Sequence, residues 1–241
     1  MNLIIVNLND ICDCFISSCI LKGLRKKYKN KNIHIDCLVK NSSSSVIFKH
    51  NKHIRHVFTL NNIDKYNFNK YDMLVNFSQN CPTGIKADKN FGIGFSGNKD
   101  QFYEEVMFGN KHINKNIYQI CYRLAGLTWR GEGCEIFYRP KFKNNNNITG
   151  MAIANSNLRR YITKRLNLNE STLRNIQYRK NILKKIDQIN KYSNVITDDY
   201  FTMHLAVYLR KYVFFLKTLP YNTSIELFNK GKVITIPMQF V

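Results

Sequence analysis

The stretch NVITDDYFTMHLAVYLRKYVFFLKTL, residues 194–219, predicts a strand, a tight turn, a helix and a second strand. Residues 195–197 are β-prone, and the acidic pair Asp198 and Asp199 is a helix-capping signal. Apolar residues then recur at helical spacing before the β-rich run 212–216. The pattern is one βαβ unit of a parallel sheet. Its helix begins beyond the carboxyl end of a strand, so the N–H groups of its first turn are placed to bind an anion.

The chain opens with a second unit of the same kind. The apolar run of residues 3–6 is long enough for a buried parallel strand, and a polar turn covers residues 9–13. Apolar residues at every fourth position from Ile16 to Tyr28 predict one amphipathic helix, and cations cluster toward its C-terminal end. A further strand is predicted over residues 33–39. This β-α-β start is of the doubly wound type, in which the first turn usually carries function.

Two motifs resemble the heptosyltransferase-like glycosyltransferases of family 9. Residues 197–206, TDDYFTMHLA, are similar to the family signature T-N-D-x-G-P-M-H-L-A. Residues 6–13, VNLNDICD, are similar to the family's opening, I-V-R-L-S-S-I-G-D-V-L. Cys12 and Phe201 stand where the two family motifs carry Gly. Residues 71–77 also follow the family pattern Y-D-x-x-V-N-L.

The resemblance implies an α/β fold with two Rossmann-like domains of the GT-B type, the second of them reduced. It also implies an inverting, metal-independent hexosyl- or heptosyltransferase with no cofactor. A sugar would move from a nucleotide-sugar donor to a glycan or glycolipid acceptor, such as one of lipopolysaccharide type. Asp13 matches the family's proposed catalytic base, and Asn9 and Asp10 lie beside it on the acceptor side. The matching donor-site positions are Asp199, Met203, His204, Leu205 and Thr218.

Two alternatives remain open from the residues alone. Asp13 and Asp199 are also in positions typical of helix caps, and His204 is also typical of a semi-buried histidine with satisfied hydrogen bonds. The alternative to an enzyme is a degenerate, non-catalytic relative that keeps the fold as a binding or scaffold module. The short second half and the replacement of Gly at Cys12 and Phe201 favour that alternative.

Polarity divides the chain into two predicted domains. Residues 141–149 are the best linker candidate, between an acceptor-side domain over 1–140 and a donor-side domain over 150–241. The second domain begins with a predicted strand over 150–154 and a turn over 155–160. That turn places Arg159 and Arg160 at the carboxyl end of the strand, where each guanidinium can pair with phosphate. Four strands are predicted in this half, with a helix whose buried stripe runs from Leu173 to Ile189.

Two segments of the first half carry weaker signals. Residues 41–45 are predicted as a polar loop. Residues 92–97 match G-x-G-x-x-G, but no acidic residue stands about 20 positions on to bind a ribose. We therefore interpret residues 93–95 as part of a strand rather than as a dinucleotide-binding turn.

Composition and net charge limit the class of protein and the kinds of partner it can have. The 241 residues are 44% hydrophobic and 22% charged, enough for a real core. The net charge of +21 fits either a polyanionic partner or the amino-acid bias of an AT-rich genome. Peripheral contact with an anionic membrane is one such partnership, and the basic cluster, defined as residues 22–31, is its preferred site. No nucleic-acid partner is expected, because no nucleic-acid-binding motif accompanies the charge.

Cysteine and histidine spacing does not favour a metal. Seven cysteines, an odd number, are typical of reduced thiols in a cytoplasmic protein. Cys12 and Cys14 lack a second pair at zinc-site spacing, and the run His50, His53 and His56 lacks a fourth ligand. No apolar stretch approaches the length of about 20 residues that spans a bilayer. We expect a cytoplasmic protein that contacts the membrane at most peripherally.

Overall fold

The structure is a computed structural model that describes residues 1–66, 68, 70–95, 113–142, 145–177, 181–217, 223–224 and 233–237. The chain divides into two compact units. The first comprises residues 1–138 and 222–224, and the second comprises residues 139–221 and 225–241. Among the described residues, no helix is long and apolar enough to cross a membrane.

The first unit alternates strands and helices. In chain order its elements are β1 (Asn2–Asn7), α1 (Ile11–Ser17), α2 (Ile20–Lys27), β2 (His34–Val39), α3 (Ser42–Lys49), β3 (Ile54–Thr59), a 3-10 helix (Leu60–Lys65), β4 (Tyr71–Asn76), β5 (Ala87–Gly92), β6 (Ile113–Asn116) and α4 (Ile117–Leu124). Five strands form a parallel sheet in the order β3-β2-β1-β4-β5. The order reverses between β1 and β4, and in sheets of this kind ligands bind beyond the carboxyl ends of the strands at that switch point.

The second unit repeats the architecture with another strand order. Its elements are β7 (Asn145–Ala152), α5 (Ser156–Arg165), a 3-10 helix (Glu170–Thr172), β8 (Leu173–Asn175), α6 (Ile182–Asn190), β9 (Tyr192–Thr197), α7 (Tyr200–Tyr208), β10 (Tyr212–Lys217) and β12 (Val233–Pro237). The short strand β11 (Thr223–Ser224) belongs to the first unit, where it pairs with β6. The parallel sheet has the order β12-β10-β9-β7-β8, with its switch point between β7 and β9. The expected α/β class with two Rossmann-like domains is confirmed.

The helices differ from the prediction in three places. The single helix predicted through Ile16 to Tyr28 is broken, because Ser18 turns its hydroxyl back to the carbonyl of Phe15 at 2.6 Å and ends α1. The polar loop predicted at residues 41–45 is wrong, since Asn41 caps α3 by accepting a hydrogen bond from the Ser44 amide at 3.0 Å. The turn predicted at residues 155–160 is the start of α5, and Asn155 is its N-cap.

The strands of the second unit also differ from the prediction. The count of four is wrong, because the sheet has five strands. The extra strand is β8, which is only three residues long and therefore shows no periodicity in the sequence. Leu173 belongs to β8 rather than to a helix, and α6 begins only at Ile182. β7 starts at Asn145, inside the segment predicted as a linker.

The glycine motif of residues 92–97 has a structural explanation. β5 ends at Gly92, and residues 93–95 form a turn rather than the predicted strand, while Gly97 lies outside the described residues. Gly92 has φ +97°, and a Cβ atom built on it would lie 1.9 Å from the carbonyl oxygen of Asn76. The Asn76 side chain in turn donates to the carbonyls of Ser78 and Ile93 at 2.7 and 2.8 Å. Gly92 is therefore required for the close contact between the ends of β4 and β5.

Replacing Gly92 by Ala is expected to destabilise the protein by about 3 kcal/mol or more, because it adds backbone strain to a clash with a backbone carbonyl. Urea denaturation followed by circular dichroism measures the loss. Gly84→Ala is the matched control, because a Cβ at Gly84 meets nothing within 4 Å and should change stability by less than about 1 kcal/mol. Equal stability of the two variants would contradict the close contact.

Candidate functional site

One threonine side chain links the carboxyl ends of the two paired strands at the switch point of the second unit. Thr197, at the end of β9, is fully buried and donates its hydroxyl to the carbonyl of Ala152 at the end of β7, at 3.0 Å. The same hydroxyl oxygen accepts from the backbone N–H of Asp199 at 3.0 Å. Helices α5 and α7 begin directly after β7 and β9. Both helix N-termini, with their positive ends, are therefore positioned at the same edge of the sheet.

Asp199 is the N-cap of α7. Its Oδ2 accepts from the backbone N–H of Thr202 at 2.9 Å, from the Thr202 hydroxyl, and from Lys185 Nζ at 2.9 Å. Burial alone would raise the pKa of Asp199, but the Lys185 ammonium and the Thr202 hydrogen bonds outweigh it and lower the pKa. Asp199 is therefore an ionised cap that fixes the first turn of α7. Its contact with a donor remains a prediction.

Phe201, at the position where the similar family-9 motif carries glycine, packs toward α6. The Lys185 ammonium lies 5.1 Å from the centroid of its ring, a cation–π distance. One residue earlier, the ring of Tyr200 meets His204 edge-on, with centroids 4.4 Å apart. The first turn of α7 is thus held by aromatic contacts as well as by its cap.

The next donor-site candidates lie inside the second unit. Met203, His204 and Leu205 each have no exposed surface. Burial lowers the pKa of His204 to about 3, so its imidazole is neutral at physiological pH. These side chains therefore meet the protein interior rather than solvent. Thr218 lies outside the described residues.

The two arginine candidates lie near the N-terminus of α5. Asn155 caps this helix by accepting from the backbone N–H groups of Asn157 and Leu158 at 2.9 and 3.1 Å. Arg159 donates to Asn175 Oδ1 at the end of β8, and Arg160 is exposed. Both guanidinium groups therefore belong to the helix that begins at the carboxyl end of β7.

The switch point of the first unit holds the other candidates. Leu8 donates its backbone N–H to Ser78 Oγ at 2.6 Å, and Asn9 Nδ2 donates to the carbonyl of Phe77 at 2.8 Å. These two bonds join the loop after β1 to the segment after β4. Asp10 is the N-cap of α1, because its Oδ1 accepts from the backbone N–H of Asp13 at 2.9 Å. The capping role in this loop therefore belongs to Asp10 rather than to Asp13.

The surroundings of Asp13 alter the acidity of its carboxyl. Burial, with a smaller contribution from the nearby charge of Asp10, raises the pKa of Asp13 to about 7. A carboxylate with a pKa near 7 can take up a proton at physiological pH, as a general base requires. Across the described residues, no group of three or more His, Cys, Asp or Glu side chains is arranged to hold a metal ion.

Sequence reasoning missed Lys185 and Ser78. Lys185 is only 5% exposed and pairs with Asp199, yet in the sequence it is one of many lysines of a basic segment. Its position between Ile182 and Ile189, on the apolar face of α6, is the signal that could have identified it. Ser78 follows the predicted strand and had no distinguishing signal.

Comparison with known proteins bears on the fold. No protein-family model and no curated protein matches the sequence. The structure is similar to that of a glycosyl transferase family 9 protein from Veillonella parvula, with a TM-score of 0.65 and 12% identity over 98% of this chain and 86% of that one. It is also similar to E. coli ADP-heptose lps heptosyltransferase II, with a TM-score of 0.61 and 11% identity over 97% of this chain and 90% of that one. The chain has the fold of these glycosyltransferases.

A third similar structure is the E. coli heptosyltransferase WaaC with ADP, with a TM-score of 0.57 and 11% identity over 98% of this chain and 91% of that one. At the level of the fold, the similarity inferred from the two sequence motifs is therefore confirmed.

Lys185→Met is expected to destabilise the protein by about 2 kcal/mol, because it leaves the half-buried Asp199 carboxylate without its ion-pair partner. Denaturation curves measure the loss. Lys184→Met, at the exposed neighbouring position of α6, is the control and should change little. The further substitution Asp199→Asn, whose side-chain amide can still cap a helix, should restore most of the stability. An unchanged midpoint for Lys185→Met would show that the ion pair does not stabilise the cap.

Proposed function

We propose that this chain is a glycosyltransferase that moves a sugar from a nucleotide-sugar donor to a hydroxyl of a glycan or glycolipid acceptor. The observation that carries the proposal is the environment of Asp13 at the first switch point, on a chain with the fold of known glycosyltransferases. Burial holds the pKa of its carboxyl near 7, and its neighbour Asp10 performs the helix capping. An acceptor of lipopolysaccharide type is part of the same proposal.

The donor is assigned to the second unit. The E. coli heptosyltransferase WaaC has been solved with ADP and with ADP-2-deoxy-2-fluoro heptose. We place the diphosphate of a nucleotide sugar at the N-termini of α5 and α7, with Arg159 and Arg160 supplying further positive charge. Met203, His204 and Leu205 contribute by packing α7 in position, and Asp199 by fixing its first turn.

The proposed reaction is a single displacement that inverts the anomeric carbon. Asp13 accepts the proton of the acceptor hydroxyl as the hydroxyl oxygen forms its bond to the anomeric carbon. The bond from that carbon to the diphosphate breaks, and the electron pair leaves with the phosphate oxygen. The helix N-termini and arginines stabilise the developing charge, a role for which we propose no metal ion or cofactor.

Asp13→Asn is expected to lower the transfer rate by about 10²-fold to 10⁴-fold, because the amide cannot accept the proton. The wild-type rate should rise with pH through about 7, as the carboxyl loses its proton. Transfer from a panel of nucleotide sugars, read by mass spectrometry and by nucleoside diphosphate release, measures both effects. Absence of transfer, hydrolysis and nucleotide binding across the panel would contradict the proposal.

A melting curve of the Asp13→Asn variant distinguishes a catalytic role of Asp13 from a purely structural one. A carboxyl whose pKa is raised on folding contributes stability below its unfolded pKa of about 3.9 and loses it as pH rises through the folded value. Asp13→Asn should therefore melt at a higher temperature than wild type at pH 8 while losing activity. If Asp13 had only a structural role, the variant would melt at a lower temperature and keep whatever activity the chain has.

We further propose that the basic cluster contacts an anionic membrane. No acidic residue occurs within residues 22–31, and Lys22, Lys26, Lys29 and Lys31 are exposed. Lys27 differs, because its ammonium donates to the carbonyl of Gly126 at 2.9 Å. Each lysine near an anionic surface contributes about 1 kcal/mol of attraction, so several suffice for peripheral binding.

Vesicles with anionic lipid are expected to sediment the protein at low salt and to release it at about 0.5 M salt, where the Debye length is only about 4 Å. Vesicles of zwitterionic lipid should not bind it. Changing Lys26, Lys29 and Lys31 together to Glu should abolish sedimentation, whereas the same reversal of Lys164, Arg165 and Lys184 in the second unit should not. Equal loss in the two triple variants would mean that total charge, rather than the basic cluster, drives binding.

A further inference from the structure

The first unit contains a cavity of about 620 Å³ that the proposed chemistry does not use. Three segments border it: the loop after β1, the 3-10 helix with the residues that follow it, and the loop after β4. Its lining residues are Leu8, Leu60, Ile63, Tyr66, Phe68 and residues 80–85. The volume falls in the range of about 300–1,000 Å³ that is usual for small-molecule sites.

The cavity lies at the carboxyl edge of the sheet, on the face opposite α1. Side chains alternate along a strand, so Leu8 shares a face with Ile4 and Val6. Those two residues belong to an apolar cluster against which Leu8, Ile63 and Phe68 also pack. Asn7 points to the other face, where its Nδ2 donates to Ser17 of α1 at 2.9 Å. The cavity therefore opens from the apolar face of the sheet, at the edge where its strands end.

The lining that the structure describes is uncharged. None of its eleven residues carries a charge, although the chain as a whole has a net charge of +21. Its aromatic wall is held by Phe58, whose ring centroid lies 4.4 Å from that of Tyr66 and 5.3 Å from that of Phe68. Tyr66 and Leu60 are 40% and 37% exposed, so solvent reaches apolar surface there. Such a lining favours a neutral, apolar group over a phosphate or a carboxylate.

We propose that this cavity binds an uncharged apolar group carried by the acceptor, an aromatic ring or a hydrocarbon chain attached to the sugar that receives the transfer. That the apolar group belongs to an acceptor rests on the proposed function. That the site binds an uncharged apolar group rests on the cavity itself. Leu8 borders the cavity, Asn9 and Asp10 follow it directly, and Asp13 lies in the first turn of the next helix. An acceptor that crosses this loop presents its hydroxyl on the Asp13 side and buries its apolar group on the other.

The uncharged fluorescent probe 1-N-phenylnaphthylamine tests the cavity directly. We expect its emission to increase on binding to the wild-type protein, and octyl or phenyl β-glucoside to displace it, while methyl β-glucoside does not. Displacement by the octyl compound alone identifies a hydrocarbon chain, and displacement by the phenyl compound alone identifies an aromatic ring. Displacement by methyl β-glucoside at the same concentration would overturn the proposal, because the cavity would then recognise the sugar.

Gly84 offers a variant that fills the cavity without strain. It lines the cavity, its φ is not positive, and a Cβ there would meet nothing within 4 Å. Gly84→Phe should weaken probe binding at least tenfold, while Gly84→Ala should bind as wild type does. Equal probe binding by Gly84→Phe and wild type would overturn the assignment.

A second measurement does not depend on that variant. Cys81 lines the cavity and is half-buried, whereas five of the other six cysteines are buried. The probe should slow alkylation of Cys81 by N-ethylmaleimide, read by peptide mass spectrometry, and leave half-buried Cys12 unaffected. Unchanged alkylation of Cys81 would place the probe elsewhere.

Nucleotide binding is measured by calorimetry with ADP on the same samples. Gly84→Phe should keep the ADP affinity of wild type, because the cavity belongs to the first unit and the donor site to the second. Probe binding without binding of ADP or of any nucleotide sugar in the panel would leave the cavity in place and contradict the glycosyltransferase proposal. ADP binding without probe binding would refute the cavity proposal and leave the glycosyltransferase proposal in place.

Discussion

Burial of both faces of strand β1 is the constraint on which the first unit depends. Leu3, Ile4, Ile5 and Val6 are each at most 2% exposed, so both faces of the sheet must be covered. Parallel strands meet this requirement, because each crossover connection lays chain across one face. The same geometry brings the loop after β1 and the segment after β4 to one edge, where two hydrogen bonds join them. The same arrangement that covers both faces of β1 therefore also brings the candidate site residues of the first unit to one edge of the sheet.

Two aspartates show how position changes the chemistry of one residue type. Asp13 and Asp199 both belong to the start of a helix that follows a strand. Asp13 is desolvated beside another carboxylate, which raises its pKa, whereas the ammonium of Lys185 overcomes the desolvation of Asp199. One is suited to accept a proton and the other to remain charged. The two aspartates thus have pKa shifts of opposite direction in similar sequence contexts. The contacts that decide each shift come from elsewhere in the chain.

The sequence predicted strands β1 and β10 well, because residues 3–6 and 212–216 are apolar runs without interruption. It predicted α3 and α5 poorly, since SSSSVIFK and SNLRRYITKR carry little apolar periodicity. Their caps, Asn41 and Asn155, were the overlooked signals. The sequence placed Asp13 and Asp199 at helix starts, but it could not show which of them is ion-paired. That depends on Lys185, 14 positions from Asp199, and on burial that no local pattern encodes.

The register of the first sheet also has a consequence during biosynthesis. Leu3 pairs with Met73, so one side of the apolar strand β1 finds its partner only after 70 further residues have been made. At about 5–20 residues per second, the ribosome needs roughly 4–14 s to supply that partner. During this interval the strand has an open hydrogen-bonding edge and an uncovered apolar surface. The nascent first unit therefore exposes an extended apolar segment until β4 has been made.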